Sequence, residues 1–256
     1  MSDTDIVFEQ PVSERVRTML RLEHLFAQLG HHRQDESPWG MRASIVTLID
    51  ILSLFSRNDL KTEISRELGE RRQALLPLRD RPGVDEGLLD EALGQLESTI
   101  SDIQGCSSQR ISQTLKDSDF LLAIINRSTI PGGTCHIDLP QFHRWLEASP
   151  TTSSNDMDSW LGNLRIFENA VALYMRLLRQ SSHWKDTDAV DGMYVHSGQD
   201  KYHLIRLALP RGSHLYPEIS AGRQRFSVRF MQQDSARAAA VHQTHPIRFK
   251  LSLCSL

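Results

Sequence analysis

Up to about residue 180, apolar side chains recur every three or four positions; beyond it they recur at every second position. The first period belongs to helices and the second to strands, because these are the spacings at which side chains share a face. Val16, Met19, Leu20, Phe26 and Leu29 mark a helix over 11–30, with Pro11 at its first position. Ser37-Pro38 opens a second helix along the stripe Ile45, Leu48, Ile49, Leu52 and Phe55. Asn58 or Asp59 caps a third, charged helix that runs to about Arg79, where Arg-Pro-Gly ends it. Leu88, Leu89, Ala92, Leu93, Leu96 and Ile100 place a fourth over 84–104, and shorter helices fit 108–116 and 117–127. Pro131-Gly132-Gly133 predicts a tight turn, followed by an extended piece at Cys135–Ile137 and a helix from Asp138 or Leu139-Pro140 through Leu146. TTSSND reads as a loop, and 156–180 as one long helix with the stripe Trp160, Leu164, Phe167, Val171, Tyr174 and Leu178.

After Gln180, the two-residue period sets His203, Ile205, Leu207 and Leu209 on one face, with Arg206 on the other. Phe226, Val228 and Phe230 alternate with Arg223, Arg225, Ser227 and Arg229, and Ile247, Phe249, Leu251 and Leu253 with Arg248, Lys250 and Ser252. Such alternation predicts antiparallel strands with one solvated face. GMYVHSG is a fourth candidate strand, and IVFEQ a candidate edge strand from the other end of the chain. Helices followed by strands, with no strand–glycine-loop–helix unit, predict an α+β fold rather than α/β. The expected division is a mainly helical domain over 1–181 and a mostly antiparallel β domain with a basic outer face over 182–256. Residues 5–9 are a candidate strand of the β domain.

A chain of 256 residues with 39% hydrophobic and 24% charged residues reads as soluble and globular rather than disordered or membrane-embedded. No apolar run approaches the ~20 residues of a membrane helix, and MSDTDIVFEQ lacks the pattern of a signal sequence. Cys106, Cys135 and Cys254 are odd in number and far apart, as expected of reduced thiols in a cytoplasmic protein. The net charge of −3 conceals an asymmetry. Residues 201–256 carry nine Lys and Arg against Glu218 and Asp234, so this segment is +7 and the rest −10. Either the basic segment packs on the acidic body, or it meets an acidic or nucleic-acid partner.

Catalytic and metal motifs are absent: there is no H-E-x-x-H, no G-x-S-x-G, no Walker loop and no dinucleotide fingerprint. His136, Asp138 and His143 are the densest metal-capable group, with His136 expected in a strand and His143 on the next helix. Cys135 is expected to fill a small buried space. The strongest constellation is cationic. Same-face residues of a strand stand roughly 6.5–7 Å apart, so Arg223, Arg225 and Arg229, with Arg248, Lys250 and Arg206, would crowd one surface if their strands share a sheet. The near absence of aromatics among them disfavours single-stranded nucleic acid, and an acidic, partly apolar extended peptide suits Arg, Phe and a sheet edge better.

Several long stretches carry a specific likeness: IVFEQPVSERVRTMLRLEHL (6–25), FSRNDLKTEISREL (55–68), PGVDEGLL (82–89), STIPGGTCHIDLPQFHRWL (128–146), MRLLRQSS (175–182) and LYPEISAGRQRFSVRFM (215–231). With these the chain resembles the ZapD family of Z-ring-associated cell-division proteins. The resemblance implies a cytoplasmic adaptor at the mid-cell division site, without catalysis, cofactor or metal. It implies binding to the C-terminal tail of the tubulin-like GTPase FtsZ, bundling of FtsZ filaments, and a homodimer, with neither nucleic acid nor membrane as partner. The family's basic surface matches Arg225 and Arg229, with Arg57, Arg21, Lys116 and His143 as further matches. Lys116 stands where the family pattern has Arg, and an ammonium cannot make the bidentate carboxylate contact of a guanidinium. The alternation adds Arg223, Arg248 and Lys250 to this partner-binding set. Two readings of other classes compete: a nucleic-acid-binding module using the same face, and an enzyme built on His136, Asp138 and His143.

Overall fold

The computed structural model describes residues 5–255 except 58, 163, 199, 200, 223 and 224, and leaves out the side chains of 57, 108–110, 112 and 150. The fold is α+β, with helices first and antiparallel sheets in the C-terminal part. The chain divides into two units: Met1–Met19 with Met175–Leu256, and Leu20–Tyr174. The division falls within α1 (Glu14–His32) and within α9 (Arg165–Gln180).

The second unit is helical. Between the shared helices lie α2 (Pro38–Arg57), α3 (Leu60–Leu75), α4 (Glu86–Gly105), α5 (Ser108–Lys116), α6 (Asp119–Ser128), α7 (Pro140–Leu146) and α8 (Pro150–Leu161). Side-chain caps start α3, α4 and α6: Asp59 accepts from the Thr62 amide at 3.3 Å, Asp85 from Leu88 at 3.0 Å and Ser118 from Leu121 at 3.2 Å. Each satisfies an otherwise orphaned amide, typically worth about 1 kcal/mol. The predicted stripe of α2 is fully buried at Ile45, Leu48 and Leu52. Contrary to the sequence-based expectation, Pro38–Ser56 is long and apolar enough to cross a membrane by length and composition. It carries Arg42 and Asp50, however, and its apolar stripe is already covered by protein. These properties suit a core helix. Phe55 meets Phe167 edge-on at 4.9 Å, and the buried Tyr174 hydroxyl donates to Glu67 at 3.2 Å. Burial, together with the neighbouring Glu67 carboxylate, pushes the Tyr174 phenol far above its ordinary range.

Four sequence-based expectations fail here. TTSSND is the first half of α8, opened by Pro150 rather than looped out, and 156–180 is two helices instead of one. Cys135–Ile137 is a turn, not an extended piece, because the segment after Gly132-Gly133 keeps folding back: the Cys135 amide bonds the Gly132 carbonyl at 3.0 Å, and the Leu139 amide bonds that of Cys135 at 2.9 Å. Cys135 is half-exposed rather than buried, and its thiol lies 3.5 Å from Asp138 Oδ2. Gly133 is required by packing, since a Cβ there would stand 2.6 Å from the Arg127 carbonyl oxygen.

The first unit is built on two antiparallel sheets. Pro11 does not open a helix: it ends β1 (Asp5–Pro11), and α1 begins after Ser13, whose hydroxyl accepts from the Val16 amide at 3.3 Å. The other strands are β2 (Lys185–Ala189), β3 (Met193–Ser197), β4 (Leu204–Pro210), β5 (Leu215–Ala221), β6 (Arg225–Gln232), β7 (Val241–His242) and β8 (Ile247–Cys254). One sheet has the order β1-β4-β8-β2, the other β3-β6-β5, all neighbours antiparallel. IVFEQ thus is the edge strand read from the sequence, paired in register Phe8↔Leu207. The second edge of β6 is occupied by β5 throughout, so β7, pairing Met231 and Gln232, continues the line of β3.

The sheets share one core. Ile205, Leu207, Leu209, Ile247, Phe249 and Leu251 from the first meet Phe226, Val228 and Phe230 from the second. Phe230 and Phe249 stand 5.0 Å apart between ring centres. Fully burying each such side chain contributes about 1.5–3 kcal/mol, which is what fixes the alternation inward. The chain passes between sheets at Asp191-Gly192, both with positive φ (50° and 67°), the signature of a type I′ turn. A Cβ on Gly192 would lie 1.8 Å from the Gln243 carbonyl oxygen. Gly192→Ala is therefore expected to destabilise the protein by about 1–3 kcal/mol or more, read as a lowered melting temperature. Unchanged melting would show that the 243–245 segment yields freely.

Candidate binding face

The sheet assignment separates the cations that the sequence places on one surface. Arg225 and Arg229 lie on β6 of the three-stranded sheet, whereas Arg206, Arg248 and Lys250 lie on β4 and β8 of the other. Since the two sheets pack inner face to inner face, their outer faces point away from each other. A single six-cation surface does not form.

On the outer face of the four-stranded sheet the cations are paired within the unit. Lys250 Nζ donates to Asp5 Oδ2 at 2.8 Å, and Arg248 Nη2 lies 3.4 Å from Asp186 Oδ2. Cross-strand register places Asp186 directly opposite Lys250 and Asp188 opposite Arg248, so acids alternate with bases across β2 and β8. Arg206, expected in solvent, is 11% exposed, donates through Nε to Glu9 at 2.8 Å, and lies 4.9 Å from the Trp184 ring centre. Glu9 also accepts two bonds from Arg179, at 2.9 and 2.8 Å. Burial would raise the Glu9 pKa, but hydrogen bonding and charge from Arg179, then from Arg206, outweigh it and hold the carboxyl below its usual value.

The outer face of the three-stranded sheet is different. Arg225 and Arg229 are exposed and form no ion pair among the described residues. Across the sheet run the rows Met193–Arg229–Glu218 and Val195–Ser227–Ser220, with Ser197 beside Arg225. Met193 and Val195 are 40% and 46% exposed. Met193, Glu218, Ser220, Ser227 and Arg229 line a shallow depression of about 250 Å³. Cationic side chains thus stand beside uncovered apolar ones on a flat strand surface. An extended peptide with carboxylates and apolar groups fits this surface.

The remaining sequence-derived residues are dispersed. Arg21 on α1, Lys116 at the end of α5 and His143 on α7 are exposed on the helical unit, and none makes an ion pair among the described residues. Arg223 and the side chain of Arg57 lie outside the described residues. The His136 and His143 rings stand 5.6 Å apart, but His136 is in a turn, not a strand, and Asp138 pairs with Arg127 at 3.4 Å. Among the described residues, no group of three or more metal-capable side chains assembles. Sequence reasoning missed Met193, Val195, Glu218 and Ser220 as neighbours of the arginines. The alternation of LYPEISA was a usable signal for β5, obscured by Pro217, and Asp-Gly at 191–192 was one for the turn that delivers β3.

Fold and face together define an α+β protein with a mixed cationic and apolar sheet surface. The family model for ZapD, described as a cell division protein, matches residues 20–229. "Cell division protein ZapD" of Dechloromonas aromatica (strain RCB) is 32% identical over 252 residues, covering 98% of this chain and 100% of that protein. The proteins of that name from Azoarcus sp. (strain BH72) and Bordetella petrii are 33% and 34% identical, each over 98% of this chain and 100% and 99% of their own. The chain belongs to the ZapD family of cell division proteins.

Proposed function

We propose that this protein is a cytoplasmic adaptor at the mid-cell division site that binds the C-terminal tail of FtsZ and bundles FtsZ filaments. It acts without catalysis, as a homodimer. The observation that carries this reading is the contrast between the two sheet faces: Lys250, Arg248 and Arg206 are neutralised by the protein's own acids, whereas Arg225 and Arg229 are exposed without ion pairs among the described residues. The family membership supplies the cell-division context. A bundling particle needs two binding faces, and two-fold symmetry duplicates one face with least new surface. The helical domain, taken as 1–181, provides apolar surface for that pairing, with the β domain over 182–256 carrying the tail-binding face.

Co-sedimentation with full-length and tail-truncated FtsZ tests this directly. Pelleting of bundles is expected with the first and not with the second; equal pelleting with both would place the contact elsewhere on FtsZ. Raising salt from 0.1 M to 1 M shortens the screening length from about 10 Å to about 3 Å, so binding through exposed arginines is expected to fall steeply. The association rate should fall before the dissociation rate rises, because complementary fields chiefly steer encounter. Binding that is indifferent to salt would remove the arginine face from the mechanism.

A further inference from the structure

The interior of the two-sheet unit turns polar toward one end. On β2 the core-facing positions run Ala189, Thr187, Lys185, opposite Ile247, Phe249 and Leu251 of β8. Ala189 joins the apolar core, but the next two inward positions are a hydroxyl and an ammonium where alternation calls for apolar residues. On β3 the inward positions are Tyr194 and His196, again polar. Between these strands lies an open cavity of about 920 Å³. That volume is in the range of small-molecule sites, roughly 300–1,000 Å³.

Among the described lining residues the walls are joined by ring contacts and hydrogen bonds and carry only positive charge. His196 stacks on Phe226 with ring centres 5.0 Å apart, and its Nε2 is 2.9 Å from the Tyr202 hydroxyl. The Tyr194 hydroxyl is 3.4 Å from Nδ1 of the same ring. Lys185 and Lys201 reach the cavity, and neither forms an ion pair among the described residues. No Asp or Glu is among the described lining residues, and Leu251 and Leu253 supply an apolar wall. Met193 and Val195 of the candidate binding face are on the opposite side of β3 from Tyr194 and His196, so the cavity and that face are distinct surfaces.

We propose that this cavity binds a small organic anion, a phosphate or carboxylate carried on a compact apolar body. Lys185 and Lys201 pair with the oxyanion, the hydrogen-bonded His196–Tyr202 wall orients it, and Leu251 and Leu253 take the apolar part. The inference does not rest on the proposed FtsZ contact.

Calorimetric titration of the full chain at fixed ionic strength tests it, with inorganic phosphate, adenosine monophosphate and hexanoate as probes. Adenosine monophosphate or hexanoate is expected to bind with a Kd of about 1 mM or tighter. The Lys185→Ala/Lys201→Ala variant should bind at least about tenfold more weakly while melting normally, because both lysines are exposed. Arg225→Glu should bind as wild type does. The proposal is overturned if neither organic probe binds, if the lysine variant binds as tightly as wild type, or if Arg225→Glu abolishes the signal. Inorganic phosphate binding as tightly as the organic probes would overturn the role given to the leucine wall.

Discussion

Charge reversal at Arg225 or Arg229, to Glu, is expected to abolish FtsZ bundling and to leave the fold intact. Both side chains stand on the solvent side of β6, whose other side buries Phe226, Val228 and Phe230. Replacing them removes no buried apolar area and breaks no ion pair among the described residues. Stability should therefore change by about 0.5 kcal/mol or less, a shift of roughly 2 °C or less in melting temperature. Binding should suffer far more, because each reversal removes an attraction and sets a like charge against the tail's carboxylates. Arg229→Glu adds a second cost: it faces Glu218 directly across the strand pair, so two acids would then be neighbours on one face. Lys250→Glu is the informative control. Its cation is already paired with Asp5, so it should cost some stability through that pair and spare bundling. Thermal melts paired with co-sedimentation decide the matter: strand variants that bundle normally at moderate salt would mean that the tail docks elsewhere.

Glu9→Ala is expected to be the most destabilising single change on the outer face of the four-stranded sheet. Glu9 is 17% exposed and accepts from Arg179 and from Arg206, itself 11% exposed. Removing the carboxylate leaves a largely buried guanidinium uncompensated, a loss of about 3–5 kcal/mol. Glu9→Gln, which keeps the shape and loses the charge, should be milder, and the difference between the two separates packing from electrostatics. The pH dependence has a definite sign. The folded-state pKa of Glu9 is lowered, so its stabilisation is fully present above the unfolded value, about 4.3, and is lost as pH falls through the folded value. Wild type should therefore lose melting temperature more steeply than Glu9→Gln on acidification below that value. If Glu9→Ala melts with wild type at pH 7, the triad contributes nothing to stability.

The candidate site was half legible. Alternation in RFSVRFM put Arg225 and Arg229 on one side of a strand and Phe226, Val228 and Phe230 on the other, and the structure agrees. The same alternation correctly turned Arg248 and Lys250 outward but said nothing of the acids beside them. Asp5 and Lys250 are 245 residues apart and Glu9 and Arg206 197, and no local pattern links them. The helical errors have a similar origin. TTSSND is rich in residues that favour caps and turns, yet it continues as helix after Pro150, because Met157 and Leu161 on α8 are buried by tertiary packing that overrides the local preference.

What the sequence determined by itself was the succession of helices by strands, the inward apolar positions of β4, β6 and β8, and the likeness to a family. These follow from local geometry: period and alternation are properties of one element, and burial pays for keeping them. Ser252, read as outward on β8, is instead buried. Which strands share a sheet was decided only by the tertiary structure. Backbone hydrogen bonds between strands are nearly independent of side-chain identity, so β6 can pair with β5 or with β8 as far as alternation is concerned. The pairing that formed put β6 between β3 and β5, and β8 between β4 and β2. That choice carried Arg206, Arg248 and Lys250 to acids on the far side and left Arg225 and Arg229 exposed together beside Met193 and Val195. The distinctive charge of the Arg225–Arg229 face is thus a consequence of sheet topology, through long-range ion pairs that no window of the sequence contains.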